Sequence, residues 1–125
     1  MIQVVTTDAA PKAQGPYSQA IVAAGLVFVS GQIAIDPKTN KFVDGSMEEQ
    51  THLVLENLSA ILKSVGGSLN NVVKATVFLK DMNDFDAMNA VYSEFFPTHK
   101  PARATVQVAR LPRDARIEIE LVALA

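Results

Sequence analysis

Two alternating segments decide the fold of the last quarter of this chain: KPARATVQVA at residues 100–109 and RIEIE at residues 116–120. Side chains alternate between the two faces of a β-strand, so the first segment presents Arg103, Thr105 and Gln107 together on one face. In the second segment Glu118 and Glu120 alternate with isoleucines in the same way. A proline-containing turn between the segments predicts a β-hairpin, one face of which carries an arginine and two carboxylates.

These charged residues have two interpretations. Antiparallel sheets commonly have one solvated face, and the hairpin taken alone favours an ordinary charged surface. The alternative is a site for a small anion, because the planar fork of Arg103 can grip a carboxylate and Glu118 can accept a proton from water. That pair of groups suits the hydrolysis of a small anionic substrate.

Two helices are predicted upstream. Ser46 and Glu49 form a capping-box pattern, and apolar residues then recur at helical spacing until Gly66-Gly67 ends the helix. Asn83 is predicted to cap a second helix, whose apolar stripe ends at Pro97.

The strand pattern completes an α+β fold. Residues 19–24 and 26–31 alternate around Gly25, where the chain can turn tightly, and residues 72–79 form the next strand. With a strand-like amino terminus and the last two segments, about six strands result. The order hairpin, helix, strand, helix, hairpin predicts a mixed sheet with both helices on one face.

The face of the sheet that the helices leave uncovered has a mixed character. Its predicted residues are Lys74, Thr76, Phe78, Gln107, Glu120 and Val122. Such a face is only partly suited to contact with water. We therefore expect copies of the chain to associate through its apolar part and to leave polar pockets at the subunit interfaces.

Composition excludes several classes of function. The 125 residues, 49% of them hydrophobic, predict a single domain over residues 1–125. A net charge of -2 with scattered Lys and Arg disfavours a nucleic-acid binder. Cysteine is absent, and His52 and His99 lie far apart, so no metal site is expected.

No apolar run is long enough to cross a bilayer, and no signal segment is recognisable at the amino terminus. The sequence therefore predicts a cytoplasmic protein. A processed organellar form would have the same features.

Several segments together resemble the RidA/YjgF family of reactive-intermediate (imine and enamine) deaminases. They occur in the family's order and spacing over almost the whole chain: residues 15–20 (GPYSQA), 28–33 (FVSGQI), 57–58 (NL), 73–79 (VKATVFL), 85–92 (FDAMNAVY) and 101–103 (PAR) through Glu118. The resemblance implies a chorismate-mutase-like fold and a homotrimer with sites at the subunit interfaces. It further implies hydrolysis of 2-imino acids, such as 2-iminobutanoate and 2-iminopropanoate, with neither metal nor organic cofactor.

The resemblance also implies roles for individual residues. Arg103 matches the family arginine that binds the substrate carboxylate, and Glu118 matches the glutamate that activates water. The expected pocket-lining residues are Tyr17, Ser30, Gly31, Asn89 and Thr105. Thr105 is a departure, because many relatives have cysteine there, so any thiol-dependent activity is not implied for this chain.

The predicted hairpin register raises a problem of distance. A turn near Pro112 would pair Gln107 with Glu118 and leave Arg103 about 13 Å from Glu118, which is too far for one small substrate. The sequence therefore predicts either a bulge or strong curvature, or a site composed of residues from neighbouring subunits, which we favour. Alternative functions are a carboxylate-binding regulatory module, an endoribonuclease or translation inhibitor, and a chaperone.

Overall fold

The computed structural model describes all 125 residues, which form a mixed six-stranded sheet with two helices. The elements are β1 Gln3–Val5, β2 Ala20–Ala23, β3 Leu26–Gln32, β4 Ile35–Asp36, β5 Lys41–Phe42, α1 Met47–Lys63, β6 Val72–Leu79, α2 Phe85–Phe95, β7 Ala102–Gln107 and β8 Ile117–Leu124. The sheet order is β1-β2-β3-β8-β6-β7, and β4 and β5 form a separate two-stranded ribbon. The predicted fold class is confirmed.

Local signals in the sequence account for the first hairpin and the first helix. Ala24 and Gly25 have φ angles of 53° and 75°, as the tight turn between β2 and β3 requires. Ser46 and Glu49 form the predicted capping box, in which the side chain of each accepts a hydrogen bond from the backbone N–H of the other. The helix α1 ends before the glycine pair, as predicted.

The predicted cap of α2 is wrong. Asn83 lies inside a 3₁₀ turn, Met82–Asp84, which precedes the helix. Asp81 begins that turn, since its carboxylate accepts a hydrogen bond from the Asn83 N–H at 2.9 Å. The N-cap residue of α2 itself is Asp84, whose side chain makes no capping hydrogen bond.

The predicted hairpin at the carboxyl end is also wrong, because β6 lies between β7 and β8. β7 pairs with β6 in parallel and β8 pairs with β6 antiparallel, so that Ala75 has Arg103 on one side and Leu121 on the other. The cause is α2: β6, α2 and β7 form a β-α-β crossover, which makes the two strands parallel.

This topology decides which side chains share a face. Residues in register on neighbouring strands point the same way, and Ala75, Val77 and Leu79 are fully buried against the helices. Arg103 and Thr105, in register with Ala75 and Val77, therefore face the helix layer. Gln107 also belongs to this side, and not to the open face where the sequence pattern placed it.

The face opposite the helices is open and carries both apolar and charged side chains. Phe28, Val106 and Leu124 lie on it and are 44%, 42% and 51% exposed. Glu118 and Glu120 project from the same face, because they alternate along β8 with buried isoleucines. The sheet therefore has one face packed against α1 and α2 and one face that neither helix covers, where Phe78 packs against a small apolar cluster of Ile33, Ile35, Leu111 and Ala115.

Candidate functional site

A cavity of about 540 Å³ opens beside Glu118 on the uncovered face of the sheet. It is lined by Gln14, Tyr17, Ser30, Gly31, Ile33, Ile35, Pro112, Arg113, Glu118 and Glu120. Four residues that the family resemblance assigned to one site, Tyr17, Ser30, Gly31 and Glu118, are thus brought together.

An irregularity in β3 shapes the floor of this cavity. Val29 pairs with Leu121 and Gln32 with Ile119, so two residues of β3, Ser30 and Gly31, lie opposite the single residue of β8 between those pairs. Such a bulge bends the strand and turns its residues out of the regular ladder. The Ser30 hydroxyl donates to the Ser18 carbonyl at 2.6 Å, which fixes the bulge to the preceding loop.

Gly31 lies directly beneath the Glu118 carboxylate. A Cβ added at Gly31 would stand 2.5 Å from Glu118 Oε2 and 2.9 Å from its Cδ, closer than real Cβ contacts. The side chain of Glu118 therefore occupies space that a Cβ at residue 31 would need, and any other residue there would displace the carboxylate. This close approach, and not a turn conformation, is what requires the glycine.

The environment of Glu118 favours its protonated form. Partial burial, followed in size by the nearby charge of Glu120, raises the pKa of Glu118 above its ordinary value. A carboxyl group whose pKa is raised toward neutrality can both accept and return a proton. The raised pKa makes Glu118 a candidate general acid and base.

Sequence reasoning missed the rim of the cavity. Arg113 Nη2 donates to Gln14 Oε1 at 3.1 Å, and the Gln14 backbone N–H donates to Tyr17 Oη at 3.2 Å. Arg113 has a left-handed backbone (φ 58°, ψ 19°), which is uncommon for a residue with a side chain. Because the segment around Arg113 was interpreted as a plain hairpin turn, no signal pointed to this role.

The cavity does not include Arg103. The Arg103 guanidinium lies on the helix side of the sheet, with Cζ 4.7 Å from the centre of the Tyr92 ring and 5.6 Å from that of Phe85. The two ion pairs of the chain, His52–Glu56 and Lys80–Asp114, do not involve Arg103. Its charge thus has no carboxylate partner.

Two further predicted residues accompany Arg103. Thr105 follows two positions along β7, and its Oγ1 is buried without a hydrogen-bond partner. Asn89 is half-buried on α2, four residues after Phe85 and three before Tyr92, and so on the helix stripe that carries both rings. The expectation that one face carries the arginine and both glutamates is therefore wrong.

The predicted site residues thus lie in two separate groups in each chain. We call the residues around Glu118 the carboxylate pocket and the residues around Arg103, on β7 and α2, the arginine edge. The first can handle protons and water, and the second can bind an anion. They point to opposite sides of the same sheet, so a single chain cannot apply both to one small molecule.

The structure contains neither a cluster of metal ligands nor a membrane-spanning helix. No three side chains of His, Asp or Glu lie close enough together to hold a metal ion. None of the helices combines the length and the apolar character that crossing a membrane would require.

Comparison with known proteins finds relatives along nearly the whole chain. The family described as Endoribonuclease L-PSP matches residues 7–125. The chain is 57% identical over 123 residues to a RutC family protein of Pyrococcus horikoshii, with 98% of both chains covered. It is 46% identical to the human 2-iminobutanoate/2-iminopropanoate deaminase, covering 98% of this chain and 89% of the human one. A solved structure, E. coli TdcF with bound serine, is 42% identical and superimposes with a TM-score of 0.93 over 98% of each chain.

Proposed function

The chain belongs to the RidA/YjgF family, and on that premise we propose that it hydrolyses 2-imino acids, such as 2-iminobutanoate and 2-iminopropanoate, to 2-keto acids and ammonia. Such imines form from the unstable enamines that pyridoxal-phosphate enzymes release, so their removal protects those enzymes. The observation that carries the proposal is the Glu118 carboxyl, held against Gly31 with a raised pKa in an open cavity.

The reaction needs a base, an acid and a group that binds the substrate carboxylate. The substrate carboxylate binds the Arg103 guanidinium in bidentate fashion, which places the imine carbon near a water beside Glu118. Glu118 takes a proton from that water as its oxygen bonds to carbon and passes this proton to the imine nitrogen, which gives a 2-amino-2-hydroxy acid and leaves Glu118 ionised again. Loss of the hydroxyl proton to Glu118 and protonation of the nitrogen then break the C–N bond and release ammonia.

Arg103 and Glu118 can cooperate only if they come from different copies of the chain, because they face opposite sides of the sheet. We propose a homotrimer in which the arginine edge of one subunit closes the carboxylate pocket of its neighbour. The exposed Phe28 and Leu124 on the open face supply apolar area for such an assembly. Sedimentation equilibrium tests it: a mass of one chain would contradict the composite site.

Two alternatives remain to be separated by experiment. A carboxylate-binding regulatory module would use Arg103 without turnover, so Glu118→Gln would leave all of its measurable properties intact. An endoribonuclease or translation inhibitor is suggested by the family's description, yet two of the three charged residues that line the cavity, Glu118 and Glu120, are acids and only Arg113 is basic, which disfavours a phosphate there.

The deciding assay couples threonine dehydratase, which generates the imine, to semicarbazide, which traps it. We expect the wild-type protein to preserve 2-oxobutanoate formation in the presence of the trap. Glu118→Gln should abolish that protection while still binding 2-oxobutanoate, measured by calorimetry. Failure of the wild-type protein to protect at any concentration would overturn the proposed reaction.

A further inference from the structure

The aromatic surroundings of Arg103 are the feature of the arginine edge that the proposed reaction does not explain. The guanidinium is half-buried, lies outside both ion pairs of the chain and rests over the face of Tyr92. A half-buried cation without a counter-ion is costly unless another group replaces the water it has lost. The negative face of an aromatic ring does this in part, through a cation–π interaction.

Contact with a ring face has a geometric consequence. A guanidinium is planar, and its N–H donors point outward in that plane. A ring that supports the plane from one side therefore stabilises the charge and uses none of the donors. An aspartate or glutamate in the same place would occupy the edge that a substrate carboxylate must reach.

The Tyr92 ring is itself held in place by the core. It is 8% exposed and packs against Phe96, which is 2% exposed, with the two ring centres 4.7 Å apart. Both residues belong to the main hydrophobic cluster of the chain. The position of the ring is thus set by core packing, and Arg103 takes its orientation from a rigid surface.

We propose that Tyr92 is a positioning residue for Arg103: its ring face supports the guanidinium at 4.7 Å, leaves the N–H donors free, and so sets the affinity of the site for carboxylates. The inference rests on the proposed function only in taking Arg103 to be the carboxylate anchor. Pre-ordering matters because a free arginine side chain loses rotamer entropy when it binds. Phe85, with its ring farther from the guanidinium at 5.6 Å, has a smaller part.

The test compares two side chains of almost the same shape at residue 92. Tyr92→Phe keeps a ring with a negative face, and pentafluorophenylalanine at residue 92, introduced by nonsense suppression, reverses the charge distribution of the ring. Calorimetric titration with 2-oxobutanoate measures the Kd of each variant. We expect Tyr92→Phe to stay within about twofold of wild type and the fluorinated variant to bind about tenfold more weakly.

The kinetic readout separates positioning from packing. The fluorinated variant should raise KM about tenfold and leave kcat within about twofold, because the chemistry at Glu118 is untouched. Equal Kd values for the phenylalanine and pentafluorophenylalanine variants would overturn the inference, as would a wild-type protein that does not bind 2-oxobutanoate. The protein could also lack deaminase activity while the fluorinated variant still binds 2-oxobutanoate more weakly. That result would support the role of Tyr92 and contradict only the proposed reaction.

Discussion

The carboxylate pocket and the arginine edge hold their charged groups by opposite means. Glu118 lies against backbone at Gly31, where partial burial and the charge of Glu120 raise its pKa. Arg103 lies against aromatic rings, with Tyr92 the nearer, at the end strand of the sheet. The pocket disfavours the charged form of its residue, and the edge supports a charge that cannot be removed.

The separation of the two groups leaves the donors of Arg103 free and the pKa of Glu118 raised. On one face they would form an ion pair, which would lower the pKa of Glu118 and occupy the donors of Arg103. The register of β6 prevents this, because it places Arg103 beside Ala75 and Glu118 beside Phe78, which point to opposite faces. In the proposed assembly the two groups would meet across a contact between subunits, with the substrate between them.

The strongest test of this comparison mixes two inactive variants. Arg103→Ala and Glu118→Ala chains, co-refolded in equal amounts, should regain about one quarter of the wild-type sites, since a wild-type arginine meets a wild-type glutamate at about one interface in four in a cyclic assembly. Imine hydrolysis per trimer is the measurement. Hybrids verified by mass spectrometry that show no recovery would place both residues of each site on one chain.

A second test changes only the shape of the cation at the arginine edge. Arg103→Lys keeps the charge but replaces a planar fork with a compact ammonium group, which cannot grip a carboxylate with two parallel hydrogen bonds. We expect kcat/KM to fall roughly 100-fold in the trap assay, with little change in melting temperature because the residue lies at an edge strand. Wild-type turnover would remove Arg103 from the site.

The sequence was sufficient where local rules operate. The turn at Gly25 and the capping box at Ser46 follow from the chemistry of a few neighbouring residues, and both were predicted. The face that Arg103 occupies depends instead on which strand lies beside β7. Alternation shows which residues share a face of one strand but not how that strand is ordered in the sheet.

The composition of the cavity shows the same limit. Tyr17, Ser30 and Gly31 were placed through the family resemblance, and the structure brings them to one cavity beside Glu118. Arg113 and Gln14 were missed because their contact joins residues 99 positions apart through a left-handed turn. No periodicity within either segment records such a contact.

A third test perturbs the carboxylate pocket alone. Gly31→Ala introduces a Cβ where Glu118 Oε2 lies, so the carboxylate must move by a few tenths of an ångström or more. We expect kcat/KM to fall roughly 30-fold, because misplacing a reacting group by about 1 Å can cost 100-fold. The matched control is Gly67→Ala, whose nearest neighbour would be Asn71 Oδ1 at 3.4 Å, an ordinary contact. If the two alanine variants were equally active, the close approach of Gly31 to the Glu118 carboxylate would not contribute to catalysis.

The smallest expected effect is a change in the pKa of Glu118 that leaves the side chain of Glu118 in place. Burial is the larger cause of the raised pKa of Glu118 and the charge of Glu120 the lesser, so Glu120→Gln should lower that pKa only in part. A base works in its deprotonated form, and its activity is lost as the pH falls through its pKa. The acid limb of the kcat/KM profile should therefore move to lower pH in Glu120→Gln, by less than about one unit.

Two controls identify the group that titrates. Salt screens the exposed Glu120, so high ionic strength should move the wild-type limb toward that of Glu120→Gln and leave the variant's limb in place. A carbon-13 NMR titration of the Glu118 carboxyl, which needs no turnover, should show the same shift. If the NMR pKa fell in Glu120→Gln while the kinetic limb stayed fixed, Glu118 would be coupled to Glu120 as the structure indicates, but the base that limits the reaction would be another group.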